Sequence, residues 1–486
     1  MFEYYDSLGS RSYYQLGDDQ AIYSSIRECL NANPTFSAEI DSVAILGILM
    51  KNYAIGNRSL VKGVERTPWM SSKIDNVQWD SAELPCHGNE NVTPVEASKN
   101  LYESLCQEVL DFTSDKKTIG ILLSGGMDSR IVAGIVRRLQ ESGEYSGDVI
   151  ALTWGIPESR DVVYAKRIAD EFAWGFEHFE LTASVLADNI ELSALRGAEY
   201  SPVHLHAMKA ISELRGIDGI LAGSYGDSIG RGEYSGRRTN ELPRILDKHQ
   251  HHFSFMLKNV ERKCLLSIKK DLAEARARFP GRSEMAYREI EMQMHYMRRQ
   301  LNSCMEVIDD KISLYQMFGS PRTFGYMWSL DSNCRSDDVY EYLIKGLPKI
   351  LQDIPWARTG KKYNDKNASV EDCNSSLNNR YGLWLRTDLR EQIVNLINNG
   401  SLQSLGVFNE QSLKMWIKYW SSGSAAKADR LDEKMAWLAS LSLFVERYDV
   451  KPPSKEMGKR SLLDSYSQAR AYIHTMLYHA AIKYRK

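Results

Sequence analysis

The feature that most constrains the fold of this chain is the stretch TIGILLSGGMDSR at residues 118–130. An apolar run stops at Ser-Gly-Gly, and Asp-Ser-Arg opens the next segment. Two glycines between a buried strand and a helix let the backbone approach a ligand closely, and the N–H groups of such a turn converge. The helix that begins near Asp128 adds the positive end of its dipole. The stretch therefore predicts a phosphate-binding turn, called here the phosphate turn (residues 124–129).

The side chains of the phosphate turn divide into phosphate donors and a metal ligand. Ser124 and Ser129 offer hydroxyl groups to phosphate, beside the backbone of Gly125 and Gly126. Asp128 would repel phosphate, so its expected task is to hold Mg²⁺ against a polyphosphate. A tight turn that merely needs small residues would explain an isolated Ser-Gly-Gly, but not the full order of strand, SGGxDS and helix. The stretch matches neither GxxxxGK[ST] nor GxGxxG, which argues against a Walker loop and a dinucleotide fingerprint.

Strands and helices alternate around this turn. The pattern predicts strands at 118–123, 148–154, 176–181 and 217–223, with helices at 128–141 and 159–173. Such alternation predicts an α/β fold, a parallel sheet with helices on both faces. Ligands of these sheets bind at the carboxyl ends of strands, where the phosphate turn and a second loop, AGSYGDS at 222–228, both lie.

The flanking segments predict three parts. A short N-terminal region, 1–92, contains an amphipathic helix at 37–53 with Ser37 as its cap and ends in a polar loop. A central domain, 93–450, opens on a helix with Thr93 as N-cap and Pro94 in the first turn. From about 245 to 480 the pattern is almost wholly helical, and 451–486 is predicted to be a helical tail.

Composition narrows the class of protein. The formal net charge of -2 and the pI near 6.6 give no global field for nucleic acid or an anionic membrane. The seven cysteines are scattered without a CxxC pair, so neither a disulfide framework nor a zinc site is indicated. The basic helix at 259–279 interleaves Glu and Asp, which favours a solvated surface. Without a signal peptide or a bilayer-spanning run, we expect a cytoplasmic protein that binds neither membrane nor nucleic acid.

The motifs together resemble a known family. LLSGGMDSR resembles the pyrophosphate loop (PP-loop) of the ATP-pyrophosphatase superfamily. Further stretches resemble asparagine synthetase: the 44–70 linker, ALTWGIPESRDVVYAKRIADEF with EHFEL, GILAGSYGDSIGRGEY, LDSNCRSDDVYEYLIKGLP and LASLSLFVERY. The likeness covers roughly 40–448. On these residues the chain is identified as a member of the asparagine-synthetase-like, AMP-forming amide ligases.

The resemblance implies an adenine nucleotide alpha hydrolase-like fold and roles for individual residues. Phosphate binding falls to Ser124, Gly125, Gly126 and Ser129, and Mg²⁺ to Asp128 and Asp227. The adenine of ATP is flanked by Leu152 and Thr153 through their backbone, and Gly223 permits close approach at the second loop.

The family also places a catalytic cation over the α-phosphate. The candidates here are Lys361 and Lys362, with Lys345 a weaker one. Arg298 and Arg299 are candidates for contact with pyrophosphate, although a surface position is favoured for both.

The chain departs from the family in two places. Position 2 is Phe instead of a nucleophilic Cys, about 35 residues precede the linker, and Cys29 and Cys86 lack the context of an N-terminal nucleophile, so we expect no glutaminase. Ser224 stands where an acid that handles the incoming amine is usual, which implies a different acceptor or delivery route. Residues 228–238 are glycine-rich and basic, and either a lid or an ordinary loop fits them.

The leading interpretation is an ATP-dependent carbon–nitrogen ligase with ATP and Mg²⁺. A small-molecule or peptide carboxylate is adenylated, and ammonia or an amine, which a separate glutaminase could supply, displaces AMP. An intramolecular amine would make the chain a lactam- or macrolactam-forming cyclase, like β-lactam synthetases and lasso-peptide cyclases; the short N-terminal region weighs towards amidation. Two further classes stay open, an RNA-modifying PP-loop enzyme and a non-catalytic scaffold.

Overall fold

A sheet of five parallel strands carries the phosphate turn in this computed structural model, which describes residues 8, 11–17, 21–74, 78–234, 245–246, 253–362, 370, 375–422, 429–454 and 459–484. The strands in chain order are β1 (Tyr14–Leu16), β2 (Val64–Arg66), β3 (Ser71–Ile74), β4 (Gln78–Ser81), β5 (Thr118–Leu122), β6 (Asp148–Gly155), β7 (Gly175–Glu180), β8 (Gly219–Ala222) and β9 (Leu314–Gln316). The large sheet has the order β7-β6-β5-β8-β9, while β1 pairs with β2 and β3 with β4 as antiparallel hairpins.

The order of the strands places a switch point beside β5. The chain adds β6 and then β7 on one side of β5, and later returns to add β8 and β9 on the other side. All four pairings are parallel. In open α/β sheets a crevice forms outside the carboxyl ends of the strands where the order reverses. The phosphate turn after β5 and the second loop after β8 therefore meet at this crevice.

Helices surround the sheet and form most of the second half of the chain. They are α1 (Ile26–Ala32), α2 (Ser42–Lys51), α3 (Pro94–Thr113), α4 (Met127–Ser142), α5 (Arg160–Phe172), α6 (Ala183–Leu195), α7 (Met208–Ser212), α8 (Lys258–Ala277), α9 (Glu284–Glu291), α10 (Ser303–Asp309), α11 (Pro321–Ser329), α12 (Asp337–Lys345), α13 (Lys349–Asp353), α14 (Tyr381–Arg386), α15 (Arg390–Asn398), α16 (Ser401–Ser404), α17 (Glu410–Ser421), α18 (Asp429–Arg447) and α19 (Leu462–Tyr484). A 3-10 turn spans Pro202–Leu205, and π-helical stretches span Gly226–Gly230 and Met292–Leu301.

The two faces of the sheet are covered by different helices. Ile121 of β5 shares one buried cluster with Ile131 of α4 and Ile168 of α5. Ile220 of β8 shares another with Ile308 of α10, on the opposite face. Strands that are apolar on both faces need this double cover. The predicted fold class is therefore confirmed, and the predicted strands match β5, β6, β7 and β8 to within two residues.

The N-terminal region packs against the C-terminal helices. Ile45 of α2 lies in the same buried cluster as Trp416 of α17 and Trp437 of α18. The cap of α2 is Asp41, whose carboxylate accepts from the amides of the first turn, so the prediction that Ser37 caps this helix was wrong. Asp41 lies one residue before the helix, where its oxygen reaches those amides. The boundaries at 92 and 450 stay predictions.

Two further expectations from the sequence concern the helical second half of the chain and helices that could cross a bilayer. Strand β9 interrupts the stretch from 245 to 480, which the pattern predicts to be almost wholly helical. The pattern does not show this strand because three residues are too few to show a period. In the part of the chain that the structure describes, no helix is both long and apolar enough to cross a bilayer.

Candidate nucleotide site at the switch point

The phosphate turn lies between β5 and the start of α4. Gly126 is the N-cap of α4, in an extended conformation, and no side chain caps the helix within the described residues. The neighbouring helices α3 and α5 are capped by the Thr93 and Ser159 side chains. The first amides of α4 have no acceptor in their own helix. Together with the helix dipole, they leave a positive helix end at the switch point that suits an anion.

The turn is held closed by its own hydroxyl groups. The Ser124 and Ser129 hydroxyl oxygens lie 3.1 Å apart, and the Ser124 amide donates to the Ser129 Oγ atom at 3.2 Å. The Gly126 amide donates to the Ser124 Oγ atom at 3.1 Å. A phosphate that enters the turn would therefore compete with hydroxyl oxygens, which can rotate away and donate to it.

Gly125 is required by packing. A methyl group added there would lie 2.6 Å from the Ala357 Cβ atom and 2.9 Å from a ring carbon of Tyr164. Its carbonyl oxygen accepts from the Ala357 amide at 3.1 Å, and its amide donates to the Asp161 carboxylate at 3.0 Å. Gly125 is thus tightly packed, whereas a methyl group added at Gly126 would meet two hydroxyl oxygens, that of Ser124 at 3.0 Å and that of Ser129 at 3.9 Å. The residue with room for a ligand is Gly126.

Arg130 is a buried cation that ties the turn to the segment after α13. Its guanidinium donates to the carbonyl oxygens of Gly125 at 3.0 Å, Leu351 at 3.2 Å and Ile354 at 2.6 Å, and also to Pro355. Burial lowers the pKa of Arg130 to about 10, so it remains charged at neutral pH. Sequence reasoning missed this residue, although its position directly after SGGMDS was the available signal.

The second loop touches the phosphate turn directly. A methyl group added at Gly223 would lie 2.8 Å from the Asp128 carbonyl carbon, and one added at Gly226 would lie 2.5 Å from the Asp128 Oδ1 atom. The predicted close approach at Gly223 is thus an approach to the start of α4. Tyr225, between them, has a φ of 65°, a left-handed conformation that costs a non-glycine residue energy.

Asp128 lies under the π-helical turn that carries Asp227. Burial, together with the charge of the nearby Asp227 carboxyl, raises the pKa of Asp128 to about 7. Burial also raises the pKa of Asp227, while Arg231 acts in the opposite direction. The Tyr340 hydroxyl lies 2.8 Å from the Asp128 Oδ1 atom and 2.7 Å from the Gly226 carbonyl oxygen. If Asp128 is protonated, its carboxyl group can donate to the Tyr340 oxygen while the Tyr340 hydroxyl donates to the Gly226 carbonyl oxygen.

These two carboxyl groups suit a magnesium ion that phosphate oxygens help to hold. Mg²⁺ is usually bound through one or two carboxylates plus substrate phosphates and water. Among the described residues, no three His, Cys, Asp or Glu side chains form a ready-made metal site. The donor set of Asp128 and Asp227 therefore fits an ion that arrives with a nucleotide better than a resident ion.

A cation that sequence reasoning missed lies beside the two acids. Arg231 is buried, and its guanidinium carbon lies 5.6 Å from the ring centroid of Tyr340 and 5.8 Å from that of Trp356. Its Nη1 atom is 3.3 Å from the Asp337 carboxylate. The charge of Arg231 lowers the pKa of Asp128 and of Asp227. Three segments distant in the chain thus converge on this point.

The three lysines predicted as candidates for the catalytic cation lie in different surroundings. Lys361 is in the segment that touches the turn through Ala357, and its carbonyl oxygen accepts from the Trp356 amide at 2.7 Å. Lys362 is exposed and pairs with Asp353 at 3.3 Å. Lys345 pairs with Glu341 on the exposed side of α12. The catalytic role of Lys361 or Lys362 stays a prediction.

The two arginines of the Met292–Leu301 stretch are buried, so the surface position favoured for them was wrong. Arg298 donates to Asn57 at 3.0 Å and to the Thr67 carbonyl oxygen. Arg299 donates to the Gly56 carbonyl oxygen at 2.5 Å and to Glu199 at 2.7 Å. They hold the 56–67 segment of the N-terminal region, whose carbonyl oxygens offset the cost of their burial.

The two residues that the resemblance places beside adenine lie near the carboxyl end of β6. Leu152 is buried, pairs with Leu122 in register, and its carbonyl oxygen accepts from the Leu123 amide at 2.9 Å. Thr153 is also buried, and in the described structure its Oγ1 atom has no hydrogen-bond partner. Such an orphaned hydroxyl beside the crevice fits a polar ligand atom. Of residues 228–238, for which a lid and an ordinary loop were both open, residues 235–238 lie outside the described residues.

The chain is similar to one protein family and to several solved structures. The asparagine synthase family model matches residues 100–303, which include the phosphate turn and the second loop. No curated protein matches the chain. Solved structures similar to it include NMN synthetase from Francisella tularensis, with 12% identity and a TM-score of 0.23, covering 43% of this chain and 97% of that one. Another is the U34-tRNA thiolase NcsA from Methanococcus maripaludis with its [4Fe-4S] cluster, with 13% identity and a TM-score of 0.21, covering 59% of this chain and 84% of that one.

Both TM-scores are low, so the assignment depends on the family match and on the sheet. That match, in a chain whose parallel sheet carries SGGMDS at its switch point, supports an ATP-using enzyme of the PP-loop class, in the general group of amide ligases. Over residues 100–303, this chain is similar to the asparagine synthase family.

Proposed function

We propose that this chain is an ATP-dependent, AMP-forming amide ligase that adenylates a carboxylate and passes the acyl group to ammonia or an amine. One observation carries the proposal: Asp128, at the start of α4, lies against Gly226 of the second loop, the residue before Asp227, and the charge of Asp227 acts on it. A helix end for phosphate and two acids for a phosphate-bound cation are the parts that ATP chemistry needs at one place.

The proposed binding mode assigns each group a part of ATP. The amides of Gly126 and the first turn of α4, with the Ser124 and Ser129 hydroxyl groups, hold the departing pyrophosphate. Asp128 and Asp227 hold Mg²⁺, which supplies charge neutralisation on the phosphate oxygens when bound. The adenine lies against the end of β6, beside Leu152 and Thr153.

The proposed reaction has two displacements. An oxygen of the substrate carboxylate attacks the α-phosphorus of ATP, and the bond from that phosphorus to the bridging oxygen breaks, so pyrophosphate leaves. The nitrogen of the amine then attacks the acyl carbon, the carbon–oxygen bond to AMP breaks, and the nitrogen loses a proton. Fixed positive charge placed where negative charge develops stabilises both transition states. Lys361 is our candidate for the α-phosphate, because its segment contacts Gly125 through the Ala357 amide.

The acceptor differs from that of a glutamine-dependent synthetase in our proposal. The second loop presents Ser224 and Ser228 where acids would handle the amine, and Ser228 is buried and donates to the Tyr225 carbonyl oxygen at 3.0 Å. Neither hydroxyl is a base at neutral pH. The proposal is therefore amidation by free ammonia or an amine that reaches the site already deprotonated, which includes ammonia from a separate glutaminase.

ATP–pyrophosphate exchange and the identity of the nucleotide product test the proposal. Purified protein is incubated with Mg²⁺–ATP and a panel of small carboxylic acids, with and without ammonium, and AMP and ADP are quantified. We expect acid-dependent exchange, AMP as the nucleotide product, and an amide only when ammonium or an amine is present. Release of ADP, or no exchange with any acid, would refute the proposal.

A matched pair of variants assigns the chemistry to the site. Asp128→Asn should abolish exchange, whereas Asp170→Asn, which removes an exposed carboxylate of α5 in an ion pair with Lys166, should leave it unchanged. Exchange retained in Asp128→Asn would contradict the proposed metal site. An amide formed without any added amine, at the loss of one water from a single substrate, would indicate a cyclase instead.

A further inference from the structure

Helix α19 carries large apolar side chains on its outward face. Leu462 is 90% exposed, Tyr466 67%, Ile473 57% and Leu477 63%. Their spacing of four, seven and four residues puts them on one stripe of the helix. Contiguous exposed apolar surface of this kind marks a site of contact with another molecule.

The inward face of α19 is polar, the reverse of an ordinary surface helix. Asp464 is buried and accepts from the Lys258 amide of α8 at 2.7 Å. The Ser467 hydroxyl lies 3.0 Å from that of Ser254, and the Tyr472 ring packs 6.0 Å from the Trp416 ring. The helix is thus anchored on the protein mainly by hydrogen bonds, and its apolar stripe points away from the core.

The charges of residues 459–486, which include α19, are almost all positive. Residues 459–486 contain six Lys or Arg and a single acid, Asp464, which gives this segment a formal charge of +5 in a chain of net charge -2. The acid is the buried Asp464, so no carboxylate of this segment faces outward. Two of the basic residues precede the helix, three follow Ile482, and Arg470 is exposed beside the stripe. The net charge of the whole chain does not reveal this local excess of positive charge.

The start of α8, in contact with α19 at Lys258, extends the positive region. Arg262, Lys263 and Lys269 are exposed. The acid of this stretch, Glu261, is buried and paired with the Lys258 ammonium at 2.6 Å. Arg262 and Lys263 lie within two turns of Lys258, so the start of α8 adds two cations near its contact with α19.

We propose that α19 is a membrane-surface helix whose occupant is a bilayer with anionic headgroups. Its 23 residues lie about 34 Å along the surface. The leucine and isoleucine side chains enter the boundary between headgroups and acyl chains, Tyr466 takes the interfacial position that tyrosine favours, and the basic residues meet anionic lipid. This inference goes beyond the proposed ligase function, and its readout needs no ATP turnover.

A second copy of the chain fits the same face less well. Any pairing of two α19 helices would bring together two segments of formal charge +5, and like charges oppose association. An anionic bilayer attracts the same segment.

Vesicle co-sedimentation tests the inference on the full chain. We expect binding to vesicles of phosphatidylcholine and phosphatidylglycerol in equal parts, weakening as salt rises, and little binding to vesicles of phosphatidylcholine alone. Ile473→Glu with Leu477→Glu should reduce binding more than about tenfold. The matched control is Val95→Glu with Leu383→Glu, which makes the same change at exposed apolar positions of α3 and α14 and should bind like wild type.

A second pair of substitutions keeps the stripe and removes charge. Lys459→Gln with Arg470→Gln should bind the anionic vesicles several-fold more weakly and with a smaller salt dependence. Failure of the wild-type chain to bind anionic vesicles, or unchanged binding in either variant, would overturn the inference. So would sedimentation as a lipid-independent dimer that Ile473→Glu with Leu477→Glu converts to monomer, which would assign the face to a second copy.

Discussion

Replacing Asp128 by Asn should stabilise the fold while it removes ATP chemistry. The pKa of Asp128 rises from 3.8 to about 7 because the carboxyl is buried near Asp227. Between these two values the folded chain holds a proton that the unfolded chain has released. Stability therefore falls as pH rises through this window, and the loss is complete above pH 7. A neutral Asn residue does not carry this cost.

The magnitude follows from the size of the pKa change. A rise from 3.8 to about 7 corresponds to about 4 kcal/mol for a fully desolvated carboxyl. Asp128 keeps partial contact with solvent, so we expect Asp128→Asn to gain about 2–3 kcal/mol at about pH 8 and almost nothing at about pH 4. Urea unfolding of both proteins at the two pH values measures the difference. Asp170→Asn, at an exposed ion pair, should change stability by less than about 0.5 kcal/mol at either pH.

Two further measurements separate this explanation from a general effect of the substitution. Asp227→Asn should stabilise the wild-type chain more than it stabilises Asp128→Asn, because the repulsion is already absent in the variant. Added Mg²⁺ with ATP should stabilise the wild type increasingly as pH rises and should not stabilise Asp128→Asn. A variant that is destabilised at both pH values, or a difference that does not change with pH, would refute the reasoning about the buried pair.

The remaining predictions concern the turn and its surroundings. Gly125→Ala should destabilise the fold by about 1–3 kcal/mol, since the new methyl group meets its neighbours at 2.6–2.9 Å, as thermal unfolding would show. Gly126→Ala should leave stability within about 0.5 kcal/mol and weaken ATP binding in calorimetry, and unchanged affinity would dismiss the predicted close approach of phosphate. Arg130→Met should cost about 2–4 kcal/mol in urea unfolding, because buried carbonyl oxygens lose their donor. Lys361→Met should slow ATP–pyrophosphate exchange more than it weakens ATP binding, whereas Lys362→Met, at an exposed ion pair, should do neither; equal effects would reject Lys361 as the catalytic cation.

The parts of the site that were predictable are local in sequence. An apolar run, two glycines and a helix start within 118–130 define both the turn and its place after a strand. The same applies to the second loop after β8. The parallel sheet follows as well, because strands joined by helices have few other ways to pair.

The contacts that assemble the site are remote in sequence. Tyr340 reaches Asp128 across 212 residues, and Arg130 reaches Pro355 across 225. Arg231 comes between two aromatic rings that belong to other segments. No period or spacing in a single sequence encodes such pairs. The burial of Arg298 could not be predicted from the sequence either, since it depends on hydrogen-bond acceptors in the N-terminal region.

The sequence by itself determined where the turn proposed to bind phosphate lies, because glycine, serine and the start of a helix act within a few residues. The tertiary structure alone decided that the pKa of both acids is raised and that Arg231 acts on them, because a pKa depends on burial and on neighbours that the chain brings together from afar. It also decided that the apolar residues of α19 point outward, since the face on which a helix packs is set by the surface beneath it.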